Sequence, residues 1–151
     1  MRRFVYALFG VMLCLPGLSH AAKASEHMVA PPTKAHPRKV LIQLDTNNVK
    51  KVNMILNNAE NLVKYYGPGK VRVIIDAYGP GIHSVLAKAS KVPGRIMQMS
   101  TDPDIEVTAC DTTLRTIHKT GKDLVPGVSV VPGGIAEIAD RKLAGWVMIY
   151  P

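Results

Sequence analysis

"KVLIQLDTNNVKKVNMILNNAENLVKYYGPGKVRVIIDAYGPG", residues 39–81, holds an apolar run, a long periodic stretch and a second apolar run, and that order decides the fold. The first run, Lys39 to Asp45, is too short for a helix and is bounded by turn-formers, which suits a buried strand. Val49, Val52, Leu56, Ala59, Val63 and Tyr66 then recur at three- and four-residue steps. Ile55 and Leu62 widen the stripe, while Asn53, Asn57, Glu60 and Lys64 fall on the other side, so the stretch predicts an amphipathic helix. Asn47 or Asn48 can cap its start, and Gly67-Pro68-Gly69 stops it. Val71 to about Ala77 forms the second strand, closed by a glycine-proline turn.

The alternation continues. Ile82–Ala89 reads as a short helix and 90–104 as loop-rich with at most a weak helical turn. "DIEVTAC" (104–110) is a third strand, and 112–120 a third helical segment with Thr112 as its cap. "GVSVV" (127–131) is a fourth strand, 133–144 a helix, and "GWVMIY" (145–150) a last strand. Strands that are apolar throughout, alternating with helices, predict an α/β fold with a parallel sheet and helices on both faces. In such a sheet all strands end on one edge, and ligands bind in the crevice there. Those ends are Asp45–Asn48, Asp76–Gly81, Cys110–Thr113 and Val131–Gly134.

Ahead of the domain, residues 1–21 show two arginines, an apolar run from Phe4 to Leu15, and the small-residue site Ser19-His20-Ala21. This is the layout of a cleavable signal peptide, too short for a comfortable membrane span, so export to the periplasm with no stable membrane anchor is expected. Residues 22–38 are polar and proline-bearing, a flexible lead-in to a domain spanning 39–151. Loss of Arg2 and Arg3 takes the formal charge from +8 to +6. The remaining basic residues are scattered and only 5% of residues are aromatic, which argues against a nucleic-acid partner.

Cys14 leaves with the signal peptide, so Cys110 is the single cysteine of the exported chain and has no partner within it. It lies at a strand end just before a helix, where free amides and the helix dipole favour a thiolate. Asp111 opposes this, and His83, Arg115 or His118 assist if the fold brings them near. A Cys110–His83 pair supplemented by Met97 or Met99 would make a soft-metal site. No CxxC, HExxH, phosphate loop or GxGxxG is present, and no cofactor is expected.

"KVLIQLD", "NNAENLVKYYGPGKVRVIIDAYGPGI", "VTACDTTL" and "DLVPGVSVVPGGIAEIADRKLAGWVMIYP" together resemble DsrE/DsrF-like proteins, in particular the small, exported, single-domain branch, over nearly all of Lys39–Pro151. The resemblance implies a three-layer α/β/α fold with a five-stranded parallel sheet, homo-oligomers such as trimers or hexamers, and a sulfur relay in which a cysteine carries a persulfide between donor and acceptor proteins. The cysteine carried over is Cys110. The expected function is therefore a periplasmic sulfur carrier or sulfurtransferase-like relay protein. Asp45, Asn47, Tyr78 and His83 are expected to line the pocket, with the amides around Thr112 stabilising the sulfur. The alternative is an oligomeric, non-enzymatic module that binds a small ligand or soft metal through Cys110 and His83.

Overall fold

In the computed structural model, which describes residues 29–151, five strands pair in parallel in the order β4-β3-β2-β1-β5. They are β1 (Arg38–Leu44), β2 (Val71–Ala77), β3 (Ile105–Cys110), β4 (Ser129–Val131) and β5 (Val147–Ile149). Five helices connect them: α1 (Val49–Tyr66), α2 (Ile82–Val85), α3 (Pro93–Thr101), α4 (Asp111–Thr116) and α5 (Gly134–Leu143). This is the three-layer α/β/α fold. The assigned signal peptide, Cys14 and the first part of the lead-in lie outside the described residues. The rest of the lead-in is more ordered than its composition suggests. Thr33 and His36 exchange backbone hydrogen bonds at 3.2 and 3.1 Å, and β1 already begins at Arg38.

The strand order explains how the helices are shared between the faces. From β1 to β4 each crossover moves the chain one strand in the same direction, and right-handed crossovers put the connecting helices on one face. The step from β4 to β5 reverses direction and crosses β3, β2 and β1, so α5 alone lands on the other face. The first face holds the main core: Val40, Ile42 and Leu44 of β1, Val73 and Ile75 of β2, and Val107 of β3 pack with Val52, Ile55 and Leu56 of α1 and Ile96 and Met99 of α3. Under α5 the buried apolar cluster shrinks to Leu41, Ile74 and Ile138, flanked by Tyr78, Trp146 and Met148.

Local signals set the helix ends. Asn48 caps α1 by accepting from the Lys50 and Lys51 amides at 3.0 and 3.2 Å, and the Gly67 amide closes it on the Val63 carbonyl at 2.9 Å. The stretch expected to be loop-rich contains the nine-residue α3, which corrects the sequence reading. Pro93 stands in its first turn, where a missing N–H costs nothing. Arg95 fastens it to α1, donating to Asn53 (2.6 Å), Asn57 (2.9 Å) and Glu60 (3.1 Å). The expected cap of the third helix is also corrected. α4 starts at Asp111 with Cys110 itself as N-cap, and Thr112 sits inside the first turn with its hydroxyl on the Pro132 carbonyl at 3.1 Å.

Candidate functional site

Strand alternation puts Gln43, Asp76 and Thr108 side by side on the α5 face of β1, β2 and β3, in register with one another. Three polar residues abreast in the middle of a buried sheet need a reason, since such positions are ordinarily apolar. They are 7%, 0% and 0% exposed. The Thr108 hydroxyl donates to Asp76 Oδ1 at 2.8 Å, and Tyr78, two residues along β2's path, donates its phenol to Gln43 Oε1 at 2.6 Å. Asp76 Oδ2 is the only buried side-chain nitrogen or oxygen among the described residues that lacks a hydrogen-bond partner. Burial pushes this carboxyl up to about 6. The Thr108 hydroxyl opposes the rise and the nearby Glu137 carboxylate adds to it.

Two residues beyond Thr108, Cys110 ends β3 on the same face and is 5% exposed. The Gly134 amide, at the start of α5, donates to its Sγ at 3.1 Å. Burial alone would raise the thiol. That rise is outweighed by the Gly134 amide, by the Thr113 hydroxyl and amide, and by the Thr112 amide, so the thiol lies below its ordinary value. Of these donors, Gly134 is the one that closes a hydrogen bond of full geometry. Thr113 is held in place from the other side, its Oγ1 accepting from the Gly79 amide at 3.2 Å.

Gly134 makes a close approach to its neighbours. A Cβ there would stand 3.2 Å from Cys110 Cβ, 3.2 Å from Tyr78 Cβ and 3.4 Å from Asp76 Oδ2. With no side chain at 134, α5 sets its first amide on the sulfur without displacing these neighbours. The thiol sits where the starts of α4 and α5 meet, an environment that favours negative charge on sulfur.

The residues expected to form one pocket are divided between two places. Cys110 and Tyr78 stand together under α5, with Thr112 beside them in α4. Asp45 is on the exposed rim; the Tyr78 phenol is held protonated chiefly by burial and next by the Asp45 charge, with Asp76 and Tyr150 adding to it. Asn47 and His83 instead line a hollow of about 70 Å³ on the α1 face, with Ser84 and Lys91. The soft-metal set is not assembled: Met99 is in the main core, Met97 is on the surface, and Cys110 is across the sheet from His83. Among the described residues no three His, Cys, Asp or Glu side chains converge as metal ligands. Arg115 pairs with Asp111 at 3.0 Å.

Asp76, Gln43, Thr108 and Gly134 were not singled out as site residues by the sequence. The signal was nonetheless present: Gln43, Asp76 and Thr108 interrupt the apolar strands "KVLIQLD", "VRVIIDA" and "IEVTAC" within three residues of their carboxyl ends. Only strand register shows that the three are neighbours.

No family model and no curated protein matches the chain. Among solved structures it is similar to MTH1491, a protein of unknown function from Methanobacterium thermoautotrophicum, with 28% identity and a TM-score of 0.70 over 76% of this chain and 99% of that one.

Proposed function

We propose that the protein is a DsrE/DsrF-like sulfur carrier, exported to the periplasm, that holds sulfane sulfur as a persulfide on Cys110. The observation that carries this reading is the Gly134 amide on Cys110 Sγ at 3.1 Å, reinforced by the Thr112 and Thr113 groups turned toward the same sulfur. A buried cysteine that served only as packing would lose nothing if those donors pointed elsewhere. Here they favour the thiolate, which is both the attacking form and the leaving form in sulfur exchange. The Cys110 thiolate attacks the outer sulfur of a donor persulfide; the donor S–S bond breaks, and the donor departs as its thiol. Attack by an acceptor thiolate on the outer sulfur of Cys110 reverses the exchange, with the same amides receiving the charge on Sγ.

A second copy of the chain is the proposed structural partner. β5 is an edge strand, and Leu143, Val147 and Tyr150 beside it are 87%, 57% and 68% exposed, an apolar border that a solitary subunit would leave in water.

The test is intact mass after incubation with a sulfur donor. Wild type is expected to gain one sulfur atom that reductant removes, and Cys110→Ser is expected to gain none. Sedimentation of the same sample is expected to give a trimer or hexamer. A wild-type chain that never gains reducible sulfur ends the carrier reading.

A further inference from the structure

Sulfur carriage at Cys110 leaves Asp76 without a task, although a buried carboxyl costs far more than the apolar residues around it. Asp76 is 0% exposed, Thr108 serves only its Oδ1, and Oδ2 is open. The open oxygen is turned toward Gly134, where an added Cβ would be 3.4 Å from Oδ2 and 3.2 Å from Cys110 Cβ. The amide of that same glycine holds Cys110 Sγ. Carboxyl and thiol thus come from neighbouring strands, on one face of the sheet, and close on a single backbone unit of α5.

We propose that Asp76 and Cys110 form one acid–thiol couple, in which Asp76 holds the proton that Cys110 surrenders on becoming nucleophilic; this rests on Cys110 being the sulfur-bearing residue. Ionising both would put two negative charges under the same glycine of α5, on one buried face of the sheet, so in the couple the pair carries one charge and one proton through the neutral range. The rise of Asp76 to about 6 and the lowering of the thiol bring the two acids toward each other. The groups around Asp76 are Thr108 from β3, Gln43 from β1, Tyr78 beyond β2, and Glu137 from α5, with Cys110 further along β3 on the same face and against the same Gly134. Of these, Glu137 is the other ordinary carboxylate, and Arg141 pairs with it at 2.6 Å.

The proton balance is complete without a further reagent. Cys110 S–H and Asp76 carboxylate interconvert with Cys110 thiolate and Asp76 carboxylic acid. Attack of that thiolate on the outer sulfur of a donor R–S–S–H forms the new S–S bond, breaks the old one, and leaves the electron pair on R–S⁻. The proton held by Asp76 departs with that thiolate as R–S–H, leaving Cys110–S–S–H and the Asp76 carboxylate. In the couple Asp76 is the proton store, taking the proton from Cys110 and returning it to the departing thiolate.

The experiment follows iodoacetamide alkylation by intact mass between roughly pH 5 and pH 10, with the Cys110→Ser chain defining any background from Cys14. Wild type is expected to rise in two steps. Asp76→Asn is expected to give a single step at a pH lower by about one unit or more than the main wild-type step, making alkylation about tenfold faster near neutrality. Asp76→Glu is expected to restore two steps. An Asp76→Asn profile that superimposes on wild type overturns the couple. Should that variant not fold, Thr108→Val removes the hydroxyl that lowers the carboxyl and must move the lower step upward; an unmoved step overturns the couple as well. Sulfur loading is read separately, so a chain that titrates in two steps yet never loads sulfur defeats the carrier reading alone.

Discussion

Asp76 is where a single residue weighs most on the balance of the fold. Its carboxyl is raised from 3.8 to about 6 in the folded chain, chiefly by burial, so the native state favours the protonated form. The stability associated with that proton is fully present below the unfolded value and is lost as the pH rises through about 6. A shift of this size corresponds to about 3 kcal/mol at neutral pH and above. Asp76→Asn keeps the shape and cannot ionise. It is expected to raise the urea midpoint at about pH 7.5 by the equivalent of about 1–3 kcal/mol, and the advantage should vanish as the pH falls toward 4. A residue conserving stability alone would not be a carboxylate here. Sequence inspection found Cys110 easily, because an unpaired thiol at a strand end is conspicuous in one dimension. Asp76 lay in full view in "VRVIIDAYGPG", but its meaning comes from Thr108, 32 residues away on the next strand, and from Gly134 on a helix of the opposite layer.

Among the elements, the turn after β2 is the most constrained. Gly81 passes over the end of β1 so closely that a Cβ would lie 1.7 Å from the Leu44 carbonyl oxygen. The same junction is tied by the Tyr78 amide on the Leu44 carbonyl (3.2 Å) and by the Ser84 hydroxyl on the Thr46 carbonyl (3.1 Å). Gly81→Ala must therefore push β1 and β2 apart at the edge that bears the site. It is expected to cost more than about 4 kcal/mol, seen as loss of soluble, cooperatively unfolding protein. The glycine-proline signal marked this turn correctly, and the long stripe of α1 was legible because eighteen residues repeat a period. Helix α3 was not legible, since Gly94, Ser100 and Thr101 weaken its pattern and its anchors on α1, through Arg95, are 35 to 42 residues distant in sequence. The expectation that His83 shares a pocket with Tyr78 fails on a turn. Both follow β2, yet the short turn Gly79–Gly81 carries the chain from one face of the sheet to the other before His83 is reached.

For the whole molecule, the single reversal in strand order makes the two faces unequal. Four helices share the main core, whereas α5 is held by Ile138 and the few apolar groups around it. Hydrogen exchange is expected to reflect this, with α5 amides protected about tenfold less than those of α1 and β2; equal protection would contradict the difference in packing. The alternation of apolar runs and helical stripes was enough to identify a parallel α/β sheet. The order of its strands, and with it the isolation of α5, depends on long-range pairing that no local pattern encodes. The reversal also ties the surroundings of Cys110 to the C-terminal part of the chain. The amide on the Cys110 sulfur belongs to Gly134, 24 residues downstream, in the helix that leads to β5 and its pairing with β1. Of the groups that lower the thiol, those of Thr112 and Thr113 directly follow β3, whereas the Gly134 amide comes from the far end of the fold. The environment of the Cys110 sulfur is therefore complete only in a chain whose C-terminal strand is in place, which makes the fold's last segment part of the candidate site.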